Sequence, residues 1–286
     1  MSATANSTTV GESKKNWRDI PKHILIMGVL MFELFPFYMM MQVSMKNNSQ
    51  FLTNPWVPLP PQQWNWSNWK FGIDLIIPAV ANSVFISFFT VTTMLFLAIM
   101  SSYFFARYKM PFSNILWGVF MFLMLMPGVA NLVPLFELLT SMNLLNTLWA
   151  LIILGAAGGQ VFNIFVLRNF IEDLPRDLFE AAEIDGASHF KQMVNVVLPM
   201  CAPIIGTLAI LSFIGQWNEF LMPFILLRDS DLFPVGVKLI YLDGEYVKQW
   251  GKIMAAFFVA SIPLIIIFLF TMKLFVRGLS AGAVKG

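Results

Sequence analysis

The chain has a single cysteine, Cys201, in 286 residues. That excludes an intrachain disulfide and any metal site built from several cysteines. Charge is scarce too: 12% of residues are Asp, Glu, Lys or Arg, about half the usual level of roughly 25% in soluble domains. The two histidines, His23 and His189, form no HExxH pair, and neither GxxxxGK[ST] nor GxSxG occurs. The sequence thus carries no motif for zinc-protease, nucleotide-hydrolase or serine-hydrolase chemistry. Residues 1–21 are polar, with charges at Glu12, Lys14, Lys15, Arg18 and Asp19, so no signal peptide is expected there.

Apolar residues are what the chain has in excess, at 58%, including 29 Phe and 19 Met. Five stretches, 75–106, 110–136, 138–167, 192–218 and 253–272, contain no Asp, Glu, Lys or Arg. A helix crossing a hydrocarbon core about 30 Å thick needs about 20 such residues, at 1.5 Å each. A soluble fold of this size could not shelter five of them. The sequence therefore predicts an all-α membrane protein with six transmembrane helices, over 24–45, 77–105, 114–139, 147–167, 200–227 and 252–274. Glu33 and Pro36 interrupt the first of these.

The charges set an orientation. With the N-terminus inside, the cytoplasmic segments carry twelve basic residues: Lys14, Lys15, Arg18, Lys22, Arg107, Lys109, Arg168, Arg176, Lys191, Lys273, Arg277 and Lys285. The outer segments carry six: Lys46, Lys70, Arg228, Lys238, Lys248 and Lys252. Basic residues concentrate on the cytoplasmic side, so both termini are expected in the cytoplasm. Tails over 1–23 and 276–286 then flank a transmembrane domain over 24–275. Outer loops fall over 46–72 and 228–250, and a cytoplasmic loop over 168–199. The first outer loop holds Trp56, Trp64, Trp66 and Trp69 among Pro55, Pro58, Pro60 and Pro61, so it is not one regular helix. It reads either as an interfacial aromatic belt or as a docking surface for an extracytoplasmic partner. The link around SMNLLNT reads as too short for a role of its own.

The cytoplasmic loop is the anomaly. Glu172, Asp173, Asp177, Glu180, Glu183 and Asp185 are six of the sixteen acidic residues, packed into fourteen positions. Pro175 and the acidic residues suit the start of a helix. Asp177, Glu180 and Glu183 share one face, and Leu178, Ala181, Ala182 and Asp185 another, which the alanines keep slim. Gly186 fits a left-handed C-cap, Ser188 an N-cap for a second short helix, and Pro199 a bend where the chain re-enters the membrane. Such a helix–turn–helix suits insertion into a groove on another protein.

These residues carry a resemblance. Glu180-Ala181-Ala182, three residues, Gly186, nine residues, then Val196-Val197-Leu198-Pro199 is similar to the EAA loop of ABC importer permeases, with Val196 in place of the family's isoleucine. LRNFIEDLPRDLFEAAEIDGAS, Asn82-Ser83, MPGVANLVPLF and WNEFLMPF resemble the carbohydrate branch, in particular the maltose-type second (G-like) permease subunit. The resemblance covers nearly all of residues 20–280. It implies a type I ABC importer permease fold in a bacterial or archaeal inner membrane. It also implies that Glu180, Ala181, Ala182, Asp185, Gly186, Leu198 and Pro199 form the joint to a cytoplasmic ATPase. The partners it implies are a second permease subunit, two ATPase subunits, an extracytoplasmic sugar-binding protein and membrane lipid, with no nucleic acid. No cofactor is expected in this chain; ATP and magnesium belong to the ATPase.

Ionisable and polar groups inside spans are costly and are functional candidates. Glu33 lies within the first span and Glu137 near the outer end of the third. Gln216, Trp217, Asn218 and Glu219 combine hydrogen-bonding groups with a flat ring suited to a sugar. They read equally as a packed interface and helix kink before Pro223. Asn131, Gln160 and Asn163 are further candidates for the translocation path. In the second outer loop, Asp243, Gly244, Glu245 and Tyr246 resemble the region that meets the binding protein. Phosphate, molybdate and peptide permeases share the EAA loop, so a non-sugar solute stays open beside carbohydrate. A secondary transporter would be expected to show matching halves with paired broken helices, which are not seen. Intramembrane catalysis at Glu33 or Glu219 is the remaining enzyme reading.

Overall fold

A computed structural model of the chain describes residues 19–108, 111–126, 131–244 and 248–283, with side chains described as far as residue 272. The helices in chain order are α1 (Ile20–Ser44), α2 (Asn48–Thr53), α3 (Ser67–Arg107), α4 (Ser113–Leu125), α5 (Leu132–Ser141), α6 (Leu148–Gly158) and α7 (Gln160–Glu172). They continue with α8 (Arg176–Ile184), α9 (His189–Gln192), α10 (Leu198–Asn218), α11 (Leu221–Leu226), α12 (Val235–Asp243) and α13 (Trp250–Ala283). A five-residue π-helical stretch, Met193–Val197, joins α9 to α10. Pro199, lacking an N–H, follows directly, where the backbone ladder must adjust. No strand occurs among the described residues.

Four helical segments, Ile20–Ser44, Ser67–Arg107, His189–Asn218 and Trp250–Met272, are long and apolar enough to cross a membrane. α6 and α7, bent by 42° at Gly159, make a fifth when taken together. The third expected span is divided: α4 and α5 have 13 and 10 residues, about 20 and 15 Å, each too short to cross alone. The residues between them, 127–130, lie outside the described residues. The fifth span, expected to run on to residue 227, stops at Asn218 and restarts as α11.

α3 is the central element and packs against α6, α7, α10, α12 and α13. Its 41 residues extend about 60 Å, so it runs well beyond the hydrocarbon thickness and begins ten residues before the span expected from residue 77. α1 is apolar around most of its surface, with Lys22, His23, Glu33 and Gln42 among the exceptions. It buries only Gln42, Val43 and Ser44 and packs along α13.

In the segment expected to form the second outer loop, α12 covers an apolar cluster formed by Ile76, Ala79, Trp217, Val235 and Ala256. Asn82 donates to the carbonyls of Asp231 and Phe233, at 2.7 and 3.3 Å, and the Ser83 hydroxyl accepts from the N–H of Val235 at 2.9 Å. The Asn82-Ser83 pair thus moors the start of α12 to α3. The link after α5 also acts. Asn146, at φ 58°, accepts from the N–H groups of Arg228 and Asp229 and donates to the Asp229 carboxylate at 2.8 Å. The expectation that this link is too short for a role is therefore corrected. An asparagine tolerates the left-handed backbone of such a tight turn and brings its own donor and acceptor.

Candidate functional site

The acidic segment folds as a helix, a closed turn and a second short helix. Pro175 precedes α8, and Asp177 lies in its first turn, where negative charge offsets the helix dipole. At the other end Gly186 adopts φ 70°. The N–H of Gly186 donates to the carbonyl of Glu183 at 3.0 Å, and that of Ala187 to Ala182 at 2.9 Å. These two bonds form a Schellman closure, which needs the left-handed residue that glycine supplies. Ser188 then caps α9, accepting from the N–H of Lys191.

α8 is held by one side chain. Phe179 is fully buried, in a cluster with Tyr103, Ile171, Met193, Val197 and Cys201. Arg107 places its guanidinium carbon 3.9 Å from the Phe179 ring centre. Glu180, Ala181, Glu183, Asp185 and Gly186 are exposed, and Ala182 and Leu198 are half-buried. Ile184, at 86% exposure, and Phe190, at 62%, stand out beside them. The exposed surface is therefore acidic, small and apolar together, on a helix pinned from behind. α9 is pinned by polar contacts: Gln192, buried, accepts from the Tyr103 hydroxyl at 2.8 Å, and Tyr108 hydrogen-bonds His189 at 2.8 Å. Phe179 and Gln192 are not among the residues the sequence singles out, and Arg107 is counted there only as a cytoplasmic charge. The only local signal was an aromatic residue on the face of α8 opposite its exposed alanine.

The polar candidates separate into two places. Gln160 and Asn163 sit at the α6–α7 bend: Gln160 donates to the carbonyl of Met94 at 3.1 Å, and Asn163 to that of Gly159 at 2.7 Å. Their amide oxygens, Gln160 Oε1 and Asn163 Oδ1, are buried without a partner among the described residues. The Gln216 amide lies over Gly155, beside Thr90. Trp217 and Asn218 line a second place, an open cavity of about 620 Å³ between α10, α12 and α13 that Asp243 and Gly244 also border. Trp217 is buried, stacked on Phe213 at 5.9 Å. Glu219 turns back to accept from the N–H groups of Leu221 and Met222, at 2.8 and 3.1 Å, and so caps α11. Asn131 precedes α5. Glu33 and Glu137 are on α1 and α5. Glu245 and Tyr246 lie outside the described residues.

Lys46 is a residue the sequence counted only as a loop charge. It is fully buried and donates to the carbonyls of Asn54 and Val57, at 2.7 and 2.8 Å. Burial pulls its pKa below the ordinary 10.5. Among the described residues there is no group of three or more His, Cys, Asp or Glu placed to hold a metal ion.

Long apolar helices joined by an anchored, exposed helical turn define a multi-pass membrane protein. Residues 95–281 match the family described as "Binding-protein-dependent transport system inner membrane component", and the chain belongs to that family. It is 32% identical over 271 residues to the trehalose/maltose transport system permease protein MalG of Thermococcus litoralis, covering 92% of this chain and 96% of that one. It is 30% identical over 292 residues to the sulfoquinovosyl glycerol transport system permease protein SmoH of Agrobacterium fabrum, covering all of both chains. Its fold matches the crystal structure of a bacterial ABC transporter involved in the import of the acidic polysaccharide alginate. That match has a TM-score of 0.77 and 21% identity, over 93% of this chain and 99% of that one.

Proposed function

We propose that this chain is one of two permease subunits of an ATP-driven importer for a carbohydrate, coupled to its ATPase through residues 180–199. The observation that carries the coupling is the α8–α9 hairpin. It is closed by hydrogen bonds at Gly186, its anchor at Phe179 reaches the bundle core, and its outer surface is exposed. An element built in this way moves as one piece with α3, α7 and α10, so a push on α8 reaches the spans. Its acidic face complements basic groups on a partner. In this reading both termini and the hairpin are cytoplasmic, six spans cross the membrane with α4 and α5 sharing the third, and ATP and magnesium bind the separate ATPase. Closure of two ATPase subunits would draw the hairpins together and open the spans outward to a docked binding protein.

The carbohydrate assignment is supported by the relatives' named sugars and by the cavity at Trp217 and Asn218, which combines a ring and an amide. Gln160 and Asn163, beside a bend and with amide oxygens that have no partner among the described residues, suit a joint that changes angle during transport better than a fixed sugar contact. Asp243 and Gly244, at the rim of the cavity, suit the approach of a binding protein. The test is co-purification from the host membrane of wild type and Gly186→Pro, since proline cannot adopt φ 70°. Wild type should bring down a second permease and an ATPase, and the variant should lose the ATPase alone. A wild-type chain that comes down without either, or a variant that keeps its ATPase, would sink the coupling assignment.

A further inference from the structure

Where α3 turns into α4, a cleft of about 280 Å³ is lined by Arg107, Arg168, Arg176, Glu172, Ser113 and Asn114. Three guanidinium groups face one carboxylate there. Arg168 pairs with Glu172 at 2.6 Å and lies 4.4 Å over the Trp117 ring, yet its Nε is buried without a hydrogen-bond partner among the described residues. Neither Arg107 nor Arg176 has a carboxylate partner among those residues. The cleft thus carries an excess of positive charge, two of its three guanidinium groups having no anionic partner among the described residues, and an anion that enters it would supply the missing counter-charge.

The position of the cleft indicates which acceptor. A short connection between two apolar helices lies at the membrane–water boundary, and α4 buries none of its residues. Leu116, Val119 and Leu123 present an exposed apolar stripe leading away from the cleft along α4. Cationic groups beside such a stripe fit a molecule with an anionic head and apolar tails. Guanidinium groups in addition match the paired oxygens of a phosphate. We propose that this cleft binds the phosphate headgroup of an anionic phospholipid, with its acyl chains along α4. Since Arg176 is the first residue of α8, the headgroup ties the hairpin to α3 and α7. The site requires the membrane boundary alone and stands apart from the transported solute.

The test uses the full chain, purified with its accompanying subunits from nanodiscs of phosphatidylcholine doped with phosphatidylglycerol, and counts retained lipids by native mass spectrometry. Wild type should retain phosphatidylglycerol about tenfold above its share, as expected when guanidinium contacts are desolvated. Arg168→Gln with Arg176→Gln should return retention to the bulk share, and the double change to Lys should keep part of it. Arg176→Gln alone, at an exposed position with no packed partner, should lower retention without disturbing the fold. Equal retention of the two lipids by wild type, or unchanged retention in the Gln variants, overturns the proposal. Displacement of the retained lipid by inorganic phosphate alone assigns the cleft to free phosphate and overturns the lipid source. Loss of the ATPase from the Gln variants with lipid retention intact assigns the cleft to that partner and likewise overturns it.

Discussion

Arg107, the last residue of α3, rests its guanidinium 3.9 Å from the ring centre of Phe179, the one buried side chain of α8. The central span thus grips the exposed hairpin directly. Truncating a fully buried phenylalanine costs about 3–5 kcal/mol. Phe179→Ala is expected to lower the unfolding midpoint in detergent and to weaken ATPase co-purification, while Phe179→Leu recovers part of both. A midpoint equal to wild type would mean that α8 is held by something else.

Asn146 makes three hydrogen bonds to Arg228 and Asp229, 82 and 83 positions away. Asn146→Ala removes them, and because the two N–H groups are exposed and water can replace the acceptor, the loss is about 0.5–1.5 kcal/mol. Asn146→Asp keeps the acceptor but sets a second carboxylate against Asp229. Repulsion between the two carboxylates destabilises the turn at neutral pH, and the penalty fades in acid as carboxylates take up protons. Thermal denaturation of the two variants across pH separates these outcomes.

Gly251 lets the start of α13 lie directly on the Lys46 carbonyl and the Asn68 amide, and Asn68 in turn donates to the carbonyls of Ser44 and Lys46 at 2.9 and 2.8 Å. A Cβ at this position meets both groups, one of them backbone. Gly251→Ala is therefore expected to destabilise by at least about 1–3 kcal/mol, visible as a reduced yield of monodisperse protein. Gly28→Ala, where nothing lies nearby, serves as the silent control.

Lys46 spans from the end of α1 to the carbonyls of Asn54 and Val57. Lys46→Met leaves those carbonyls unmet and should cost about 1–3 kcal/mol. The pH dependence has a definite sign. Burial lowers the folded-state pKa below 10.5, so the unfolded chain holds more protons between the two values. Wild-type stability then gains with rising pH across that window, a rise that Lys46→Met lacks. Denaturant midpoints at neutral and alkaline pH test this.

Glu219 accepts two N–H bonds at the start of α11. If capping is its role, Glu219→Gln, which keeps an acceptor oxygen, should transport close to the wild-type rate in vesicles. Glu219→Ala should lose about 1 kcal/mol of stability and some transport with it. Equal loss of transport in both variants, at unchanged stability, would point to the carboxylate charge and a direct role in the path.

Class and hairpin were legible in the residues because both rest on short-range chemistry. An uncharged run long enough to span hydrocarbon states its environment whatever it packs against. The turn at Gly186 is dictated by backbone conformation and by neighbours within five positions. Span continuity was less legible, since apolar content does not reveal where a helix breaks. Gly159 bends its helix inside an uninterrupted uncharged stretch, and α10 ends at Asn218 although apolar residues resume directly after Glu219.

What the tertiary structure decided are the pairings between distant positions. Phe179 reads as any helix aromatic until Tyr103, Ile171 and Val197 close around it. Lys46 reads as a solvated loop charge until the chain folds over it. Asn82 and Ser83 meet the α12 segment across some 150 positions, and Arg107, Arg168 and Arg176 converge only when α3, α7 and α8 dock. Hydrophobicity and capping are properties of a residue and its near neighbours, so the linear chain determines them. Burial of a charge, convergence of three cations and the rear anchoring of a lever depend on which surfaces meet, and packing around α3 decided them.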